Sequence, residues 1–275
     1  MADTVTQDRA HYRKTYDTPL SGLLSRIWEK SLHLGLFETP DEPLTVAHER
    51  TKLALAKAAD LKPGTRVFEA ACGTGETARF FVRKFGVSVV ATNIAETQTL
   101  EARDLTRDAG LADSIAFALA DYHNLPAVNR AFDVWLCQEA LLYASDRWQV
   151  MEEAIRVVRP GGRIVLTDLL LADHVQGARR DDLMRTIRGP HMWSIEQWDR
   201  LFVDMGFRVI ERHDWSDQAR HTFAKVQANL DAVRADPKAD FAADLIDGTV
   251  ERIGTQLEAA RRGELGWCAF ALAAP

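Results

Sequence analysis

Between residues 66 and 212 of this chain, short apolar runs alternate with longer segments whose apolar residues recur at helical spacing. Runs such as 87–92 and 163–168 are dominated by Val, Ile, Leu and Ala, as expected for strands buried on both faces of a parallel sheet. Strand–helix alternation of this kind predicts an α/β fold with helices covering a mostly parallel, Rossmann-like sheet. The predicted strands are 66–71, 87–92, 114–118, 132–137, 163–168, 207–212 and 265–271.

The helical segments carry recognisable start and stop signals. Ser194, with Gln197 three residues later, predicts a capping box at a helix start, and Gly206 ends the same helix. Pro160-Gly161-Gly162 predicts a tight turn before a strand. The predicted helices are 20–32, 44–61, 76–85, 96–109, 146–158 and 194–205.

Two segments are too long to be simple connections of this sheet. Residues 169–193 and 216–262 read as helical insertions, and Asp236-Pro237 predicts a break within the second. Ligands of such sheets bind beyond the carboxyl ends of the strands, so these insertions are expected to cap the ligand site. The chain is thus divided into an amino-terminal lid with helices, 1–62, and a core with its cap insertions, 63–275.

The composition of the chain argues against several kinds of binding partner. The chain has 275 residues, 47% of them apolar, which is enough to bury a sizeable core, and a formal charge of -6. This charge argues against a nucleic-acid partner, whose phosphates require neutralising cations. The three cysteines lack metal-ligand spacing, so no metal is expected. Residues 1–19 are polar and no apolar run could span a bilayer, so we expect a cytoplasmic protein without a membrane partner.

The first predicted strand ends in a turn suited to a nucleotide-like ligand. Glu69 closes the apolar run, Gly73 and Gly75 follow it, and a helix begins at residue 76. Glycine allows a ligand to approach the backbone closely. Gly73, Gly75 and Ala78 also fit a dinucleotide-binding turn, but the second strand is followed by Asn93 rather than by the acidic residue that such a site places on the ribose.

The chain resembles the class I S-adenosylmethionine-dependent methyltransferases in four features. They are the acidic Glu69 before the glycines, the polar Asn93 after the second strand, Asp121 in a later loop, and the turn Pro160-Gly161-Gly162. The resemblance implies a seven-stranded sheet with an antiparallel last strand and S-adenosylmethionine as cofactor. Ala71 stands where the first glycine is usual. The cofactor-binding residues implied are Glu69, Ala71, Gly73, Gly75, Asn93, Ile94, Gln98, Asp121, Tyr122 and Gln138.

A narrower resemblance covers nearly the whole chain. Segments 78–88, 93–98, 109–113 and 138–146 are similar to sarcosine/dimethylglycine N-methyltransferases, as are Ile27-Trp28, 33–37, 221–230 and 263–267. Tyr143 stands where a histidine is usual, Phe37 where a tyrosine is usual, and 191–193 match only in part. The resemblance implies methyl transfer to the nitrogen of a small amine, sarcosine or dimethylglycine, giving glycine betaine.

We expect the binding site for the methyl acceptor to lie near these positions where the chain differs from the family pattern. Catalytic candidates are Tyr143, Gln138, His191 and Glu139, with Tyr143 expected to position the nitrogen without a dedicated strong base. Aromatic walls would favour a methylated cation, and an arginine would hold an acceptor carboxylate. The substrate-binding candidates are Trp28, His33, Phe37, Tyr143, Arg185, Arg188 and Trp193.

Three alternatives remain open at this stage. The acceptor could instead be another small molecule, such as a natural-product amine, a phenol or a prenyl diphosphate. The enzyme could be a nicotinamide-dependent oxidoreductase on a similar sheet, or the chain could be a non-catalytic cofactor-binding module. The oligomeric state, monomer or dimer, does not follow from the sequence.

Overall fold

A computed structural model describes residues 20–29 and 31–274, which form a seven-stranded sheet covered by helices. The order across the sheet is β3-β2-β1-β4-β5-β7-β6, and every pair is parallel except those made by β7. The strands are β1 (Arg66–Ala70), β2 (Ser88–Asn93), β3 (Ile115–Leu119), β4 (Phe132–Gln138), β5 (Val158–Leu171), β6 (Arg208–Asp214) and β7 (Leu265–Ala273).

The helices follow the predicted order. They are α1 (Leu20–Ile27), α2 (Leu44–Ala58), α3 (Glu76–Phe85), α4 (Glu96–Asp108), α5 (Arg147–Val157), α6 (Gly177–Ile187), α7 (Ile195–Asp204), α8 (Ser216–Ala235) and α9 (Ala243–Arg261), with a 3₁₀ turn at Leu141–Tyr143. The α/β class, the seven strands and the antiparallel last strand are therefore confirmed. The capping box of Ser194 and Gln197 is also present.

Two predicted boundaries were wrong for identifiable reasons. Helix α1 ends at Ile27 rather than near residue 32, and shortly beyond it Glu29 adopts a left-handed backbone with φ 52°. Strand β5 is longer than predicted, because it pairs with β4 on both sides of the Pro160-Gly161-Gly162 turn and with β7 as far as Leu171. Local turn signals did not reveal this pairing with distant strands.

The carboxyl ends of the central strands meet at one edge of the sheet. Ala70 of β1 lies beside Thr92 of β2 on one side and beside Cys137 of β4 on the other. The loops after these three strands are therefore neighbours in space although they are far apart in sequence.

Helices α1, α6, α8 and α9 share one apolar cluster above this edge, which includes Trp28, Phe223, Ile253 and Trp267. The predicted break at Asp236-Pro237 separates α8 from α9, so the second insertion is a pair of helices. We refer to α1, α8 and α9 as the cap helices. The predicted lid at residues 1–19 lies outside the described residues.

Two kinds of feature are absent from the described part of the chain. None of its helices has the length and hydropathy required to cross a membrane. Nor do three or more of its His, Cys, Asp or Glu side chains converge in a way that could hold a metal ion.

Candidate active site

A cavity of about 1080 Å³ lies between the carboxyl ends of the strands and the cap helices. Its lining comes from both sides, so it contacts the glycine turn, the loops after β2 and β4, and the helices above them. The predicted site residues that line it are Trp28, His33, Ala71, Gly73, Asn93, Ile94, Gln98, Asp121, Tyr122, Gln138 and Tyr143.

The glycine turn after β1 exposes backbone to this cavity. Ala71, Gly73 and Gly75 all have left-handed φ values, of 56°, 54° and 73°. A Cβ atom on Gly73 would meet no described atom within 4 Å, which leaves room for a ligand against the backbone. Gly75 faces inward instead, since its Cβ would lie 2.7 Å from the ring of Phe117.

Glu69 lies just behind the turn, outside the cavity lining. It is only 3% exposed, and within the described structure its Oε2 has no hydrogen-bond partner. Burial raises the pKa of this carboxyl to about 8, although the charge of His33 opposes the shift. Glu69 therefore loses its proton less readily than an exposed glutamate.

The amide of Asn93 is engaged within the protein. Its Nδ2 donates to Gln98 Oε1 at 2.9 Å and to the carbonyl of Gly73 at 3.4 Å, and its Oδ1 accepts from the backbone of Ile94. Asn93 thus ties the end of β2 to the glycine turn and orients Gln98. Binding of a ribose by Asn93 itself stays a prediction.

The loop after β3 is organised by a pair that the sequence analysis did not anticipate. Asp121 Oδ1 accepts from the backbone N–H of His123 and lies 2.7 Å from its Nδ1. The backbone N–H of Asp146 approaches His123 Nε2 at 3.4 Å, which assigns the ring proton to Nδ1. The pair fixes the carboxylate of Asp121 at the cavity wall, next to Tyr122.

These residues fit an S-adenosylmethionine molecule. Gln138 ends β4 at the cavity, is 4% exposed, and neither of its side-chain amide atoms has a hydrogen-bond partner among the described residues. Buried polar groups are almost always paired, so an unpaired amide facing a cavity indicates a ligand. Together with the open backbone at Gly73 and the carboxylate of Asp121, it supplies complementary groups for an amino acid and a nucleoside.

A partly buried acid–base pair lies at the cavity. Glu139 Oε2 lies 2.6 Å from His33 Nδ1, and the indole Nε1–H of Trp267 donates to Glu139 Oε1 at 2.8 Å. Glu139 has a left-handed backbone with φ 41°, a conformation that side chains rarely adopt. Both oxygens of the carboxylate are therefore held, and the ring of His33 is oriented with its Nε2 left for other contacts.

His33 lies on an extended segment between α1 and α2 that is pinned by side chains. The backbone N–H of Gly35 donates to Thr222 Oγ1, that of Leu36 to Thr51 Oγ1, and that of Phe37 to Gln218 Oε1. These bonds replace the strand partners that the segment lacks. They fix His33 between the core and the cap helices.

The electrostatic surroundings favour a protonated His33. Burial, the largest influence, lowers the pKa of His33, but the hydrogen bond and the charge of Glu139, with further carboxylates nearby, outweigh it. The pKa of His33 is thus raised above 6.5. An imidazole beside a carboxylate is suited to take a proton from the molecule that is to be methylated.

Four predicted substrate-binding residues and one catalytic candidate do not line the cavity. Arg185 is exposed and bonded to Asp182, and Arg188 is exposed at the end of α6. Their helix turns outward, because its buried face carries Leu183 and Ile187. Phe37 packs in the cap cluster beside His221, and His191 and Trp193 also lie outside the lining.

His191 and Trp193 belong instead to a buried cluster behind the 3₁₀ turn. Arg147 donates to the carbonyl of His191, stacks 4.3 Å from the ring centre of Trp193, and lies 3.8 Å from Asp168. Asp168 Oδ1 accepts from the backbone of Leu142. Burial raises the pKa of Asp168 to about 7, even though Arg147 opposes the shift. The cluster supports the turn that carries Tyr143.

Arg252 and Gln256 on α9 are among the polar lining residues that the sequence alone did not reveal. Their spacing of four residues places them on one helix face. No local signal separates such a face from an ordinary solvated one, so they became visible only once the helix was packed.

The chain is similar to known methyltransferases. A family model described as "Methyltransferase domain" matches residues 68–166. The chain is 27% identical to the sarcosine/dimethylglycine N-methyltransferase of Aphanothece halophytica, over 97% of this chain and 96% of that protein. It is 31% identical to the 27-O-demethylrifamycin SV methyltransferase of Amycolatopsis mediterranei, over 80% and 82% of the two chains.

A solved structure shares the fold. The crystal structure of a candidate sarcosine dimethylglycine methyltransferase from Galdieria sulphuraria superposes with a TM-score of 0.86 at 24% identity, over 93% of this chain and 98% of that one. The sheet order, the open glycine turn and the relatives together lead to one assignment. This chain belongs to the S-adenosylmethionine-dependent methyltransferases.

Proposed function

We propose that this enzyme methylates the nitrogen of a small amine of the sarcosine or dimethylglycine type. The observation that carries the proposal is the partly buried pair of His33 and Glu139, which lies at the cavity beside aromatic side chains. The name of the Aphanothece halophytica relative supports this acceptor class.

The proposed chemistry needs one proton to be moved. Bound S-adenosylmethionine supplies an activated methyl group on a sulfonium. An acceptor amine is protonated at neutral pH and must lose its proton before attack. His33 takes this proton on Nε2, while Glu139 on Nδ1 stabilises the resulting imidazolium. His33 thus replaces Tyr143 as the main catalytic candidate.

Aromatic rings around the pair suit a methylated cation. Trp28, Tyr143 and Phe223 line the cavity, and the rings of Trp28 and Phe223 meet edge to face at 6.2 Å. An ammonium over such rings gains about 0.5–2 kcal/mol per ring. We propose that these rings hold the acceptor nitrogen and, with the cap helices above them, keep water away. In this view the amino-terminal helices and the insertions at 169–193 and 216–262 form the roof of the site.

A second candidate is methylation of a hydroxyl on a larger, apolar acceptor. The observation that favours it is the apolar lining of the cavity on the side of the cap helices. Leu24, Leu142, Leu169 and Ile253 give its acceptor side apolar walls. The rifamycin relative, whose name specifies an oxygen, supports this alternative, and the same His33–Glu139 pair would serve as base.

An acceptor panel separates the two candidates. Sarcosine, dimethylglycine and a set of apolar phenols are each incubated with the enzyme and S-adenosylmethionine, and the products are identified by mass spectrometry. We expect methylation of sarcosine or dimethylglycine, ending in glycine betaine. Turnover of phenols alone would establish the second candidate, and a lack of turnover of both amines would contradict the first.

Asp121→Ala tests the placement of the nucleoside. Removing the carboxylate deletes a proposed acceptor for the adenine amino group and also releases His123, so we expect S-adenosylmethionine binding to weaken by about 1–3 kcal/mol. Calorimetric titration measures the change, and thermal unfolding reports any loss of fold. An unchanged dissociation constant would show that the adenine lies elsewhere.

A further inference from the structure

The cap helices line the cavity with a distinctive set of side chains. Among the described residues of α1, α8 and α9 that do so, Arg252 carries the one formal charge. The remainder are neutral, and several are small and polar. The set consists of Ser21, Gly22, Leu24, Ser25, Phe223, Arg252, Ile253 and Gln256.

Acidic side chains line the opposite side. Glu76, Glu101, Asp121 and Glu139 all come from the sheet loops and their helices, and none of them from a cap helix. The arginines on that side are Arg79 and Arg83 of α3, and Arg79 is bonded to the carbonyl of Thr74 in the glycine turn. Among the described residues, the cap helices therefore contribute a cation to the cavity, whereas its carboxylates come from the sheet loops and their helices.

A buried amide lies next to this cation. Gln256 is 8% exposed, lines the cavity one helical turn after Arg252, and its Oε1 has no partner in the described structure. Rotation of a carboxamide exchanges its oxygen and NH₂ at little change in shape, so this group can present a donor to a ligand. Ser21 and Ser25, also one turn apart, supply hydroxyls from α1.

We propose that Arg252 and Gln256 bind a carboxylate of the methyl acceptor, at the end away from the atom that is methylated. A guanidinium pairs with a carboxylate through two parallel hydrogen bonds, and the adjacent amide adds a third donor. The inference rests on the proposed methyl transfer, but it applies to an amine and to a hydroxyl acceptor alike. The acceptor carboxylate is thus proposed to bind to side chains of α9, and not to Arg185 and Arg188 as the sequence suggested.

Binding to the complex with S-adenosylhomocysteine tests the proposal without turnover. Two matched pairs of probes are titrated calorimetrically, dimethylglycine against its methyl ester and 4-phenylbutyrate against 4-phenylbutanol. We expect at least one of the two carboxylates to bind more tightly than its matched neutral analogue. In Arg252→Gln we expect that carboxylate to bind roughly 10–100-fold more weakly, while the affinity of its neutral analogue stays unchanged. Arg252→Lys should retain part of the affinity.

Arg261→Gln is the matched control, because Arg261 lies on the same helix, is exposed and does not line the cavity. Equal affinity for both members of each pair, or equal losses in Arg252→Gln and Arg261→Gln, would overturn the carboxylate assignment. A failure of S-adenosylhomocysteine to bind would instead contradict the methyl-transfer function. Binding of 4-phenylbutyrate but not of dimethylglycine would keep the carboxylate site and argue against the small amines.

Discussion

Glu139→Gln is expected to lower kcat by about 10²–10⁴-fold at neutral pH while S-adenosylmethionine binding is retained. The amide keeps the shape of Glu139 and a contact with the indole of Trp267, but it removes the charge that stabilises protonated His33. The measurement is kcat under saturating cofactor and acceptor, together with cofactor titration and thermal unfolding.

The pH profile distinguishes a base from a purely structural role. Because Glu139 raises the pKa of His33, the rate of the wild-type enzyme should rise with pH through a value above 6.5 as His33 becomes neutral. Loss of the carboxylate lowers this pKa, so the acidic limb of Glu139→Gln should move to lower pH. Glu264→Gln is the control, since it removes a comparably buried carboxylate that pairs with Arg179 outside the cavity. An unshifted acidic limb would contradict the assignment.

Gly75→Ala is expected to abolish measurable cofactor binding or weaken it by at least about tenfold, which corresponds to 1.4 kcal/mol. The new methyl group would lie 2.7 and 2.8 Å from two ring carbons of Phe117 and 3.3 Å from Arg79 Nη1. Either the ring of Phe117 or the glycine turn must move, and the turn forms the cofactor side of the cavity. Calorimetry with S-adenosylhomocysteine gives the loss.

Gly64→Ala separates this clash from backbone strain. Gly64 also has a left-handed φ, of 85°, but a Cβ there would meet no described atom within 4 Å, and the residue does not line the cavity. We expect it to cost about 1–2 kcal/mol of folding free energy and to leave cofactor affinity unchanged. Equal cofactor affinities in the two variants would show that the glycine turn tolerates displacement.

The sheet was predictable because its signals are local and periodic. The apolar runs that became β1, β2 and β4 are buried on both faces and are separated by helices with clear starts and stops. The glycine turn at the cavity was predictable for the same reason, since Glu69, Gly73 and Gly75 lie within seven residues of one another. The length of β5 was not, because it depends on pairing with β7 about a hundred residues later.

The acceptor site depends on contacts that no local pattern encodes. His33 and Glu139 are 106 residues apart and are brought together by the packing of an extended segment between α2 and α8. Arg185 and Arg188 were chosen because they are arginines within an insertion, yet the buried face of their helix turns them to solvent. Arg252 is likewise an arginine within an insertion, but it lines the cavity. Residue type indicated the kind of chemistry, but the packing of the helices determines which side chains reach the cavity.

The contact between Trp267 and Glu139 has a consequence for biosynthesis. Strand β7 is the last described element to leave the ribosome, yet it inserts between β5 and β6, which are made earlier. Until it does so, both neighbours have an unpaired edge, and Glu139 lacks the indole that holds one of its oxygens. A nascent chain can therefore complete its glycine turn well before the pair of His33 and Glu139 is fully anchored, and we expect methyl transfer to begin only once β7 has inserted.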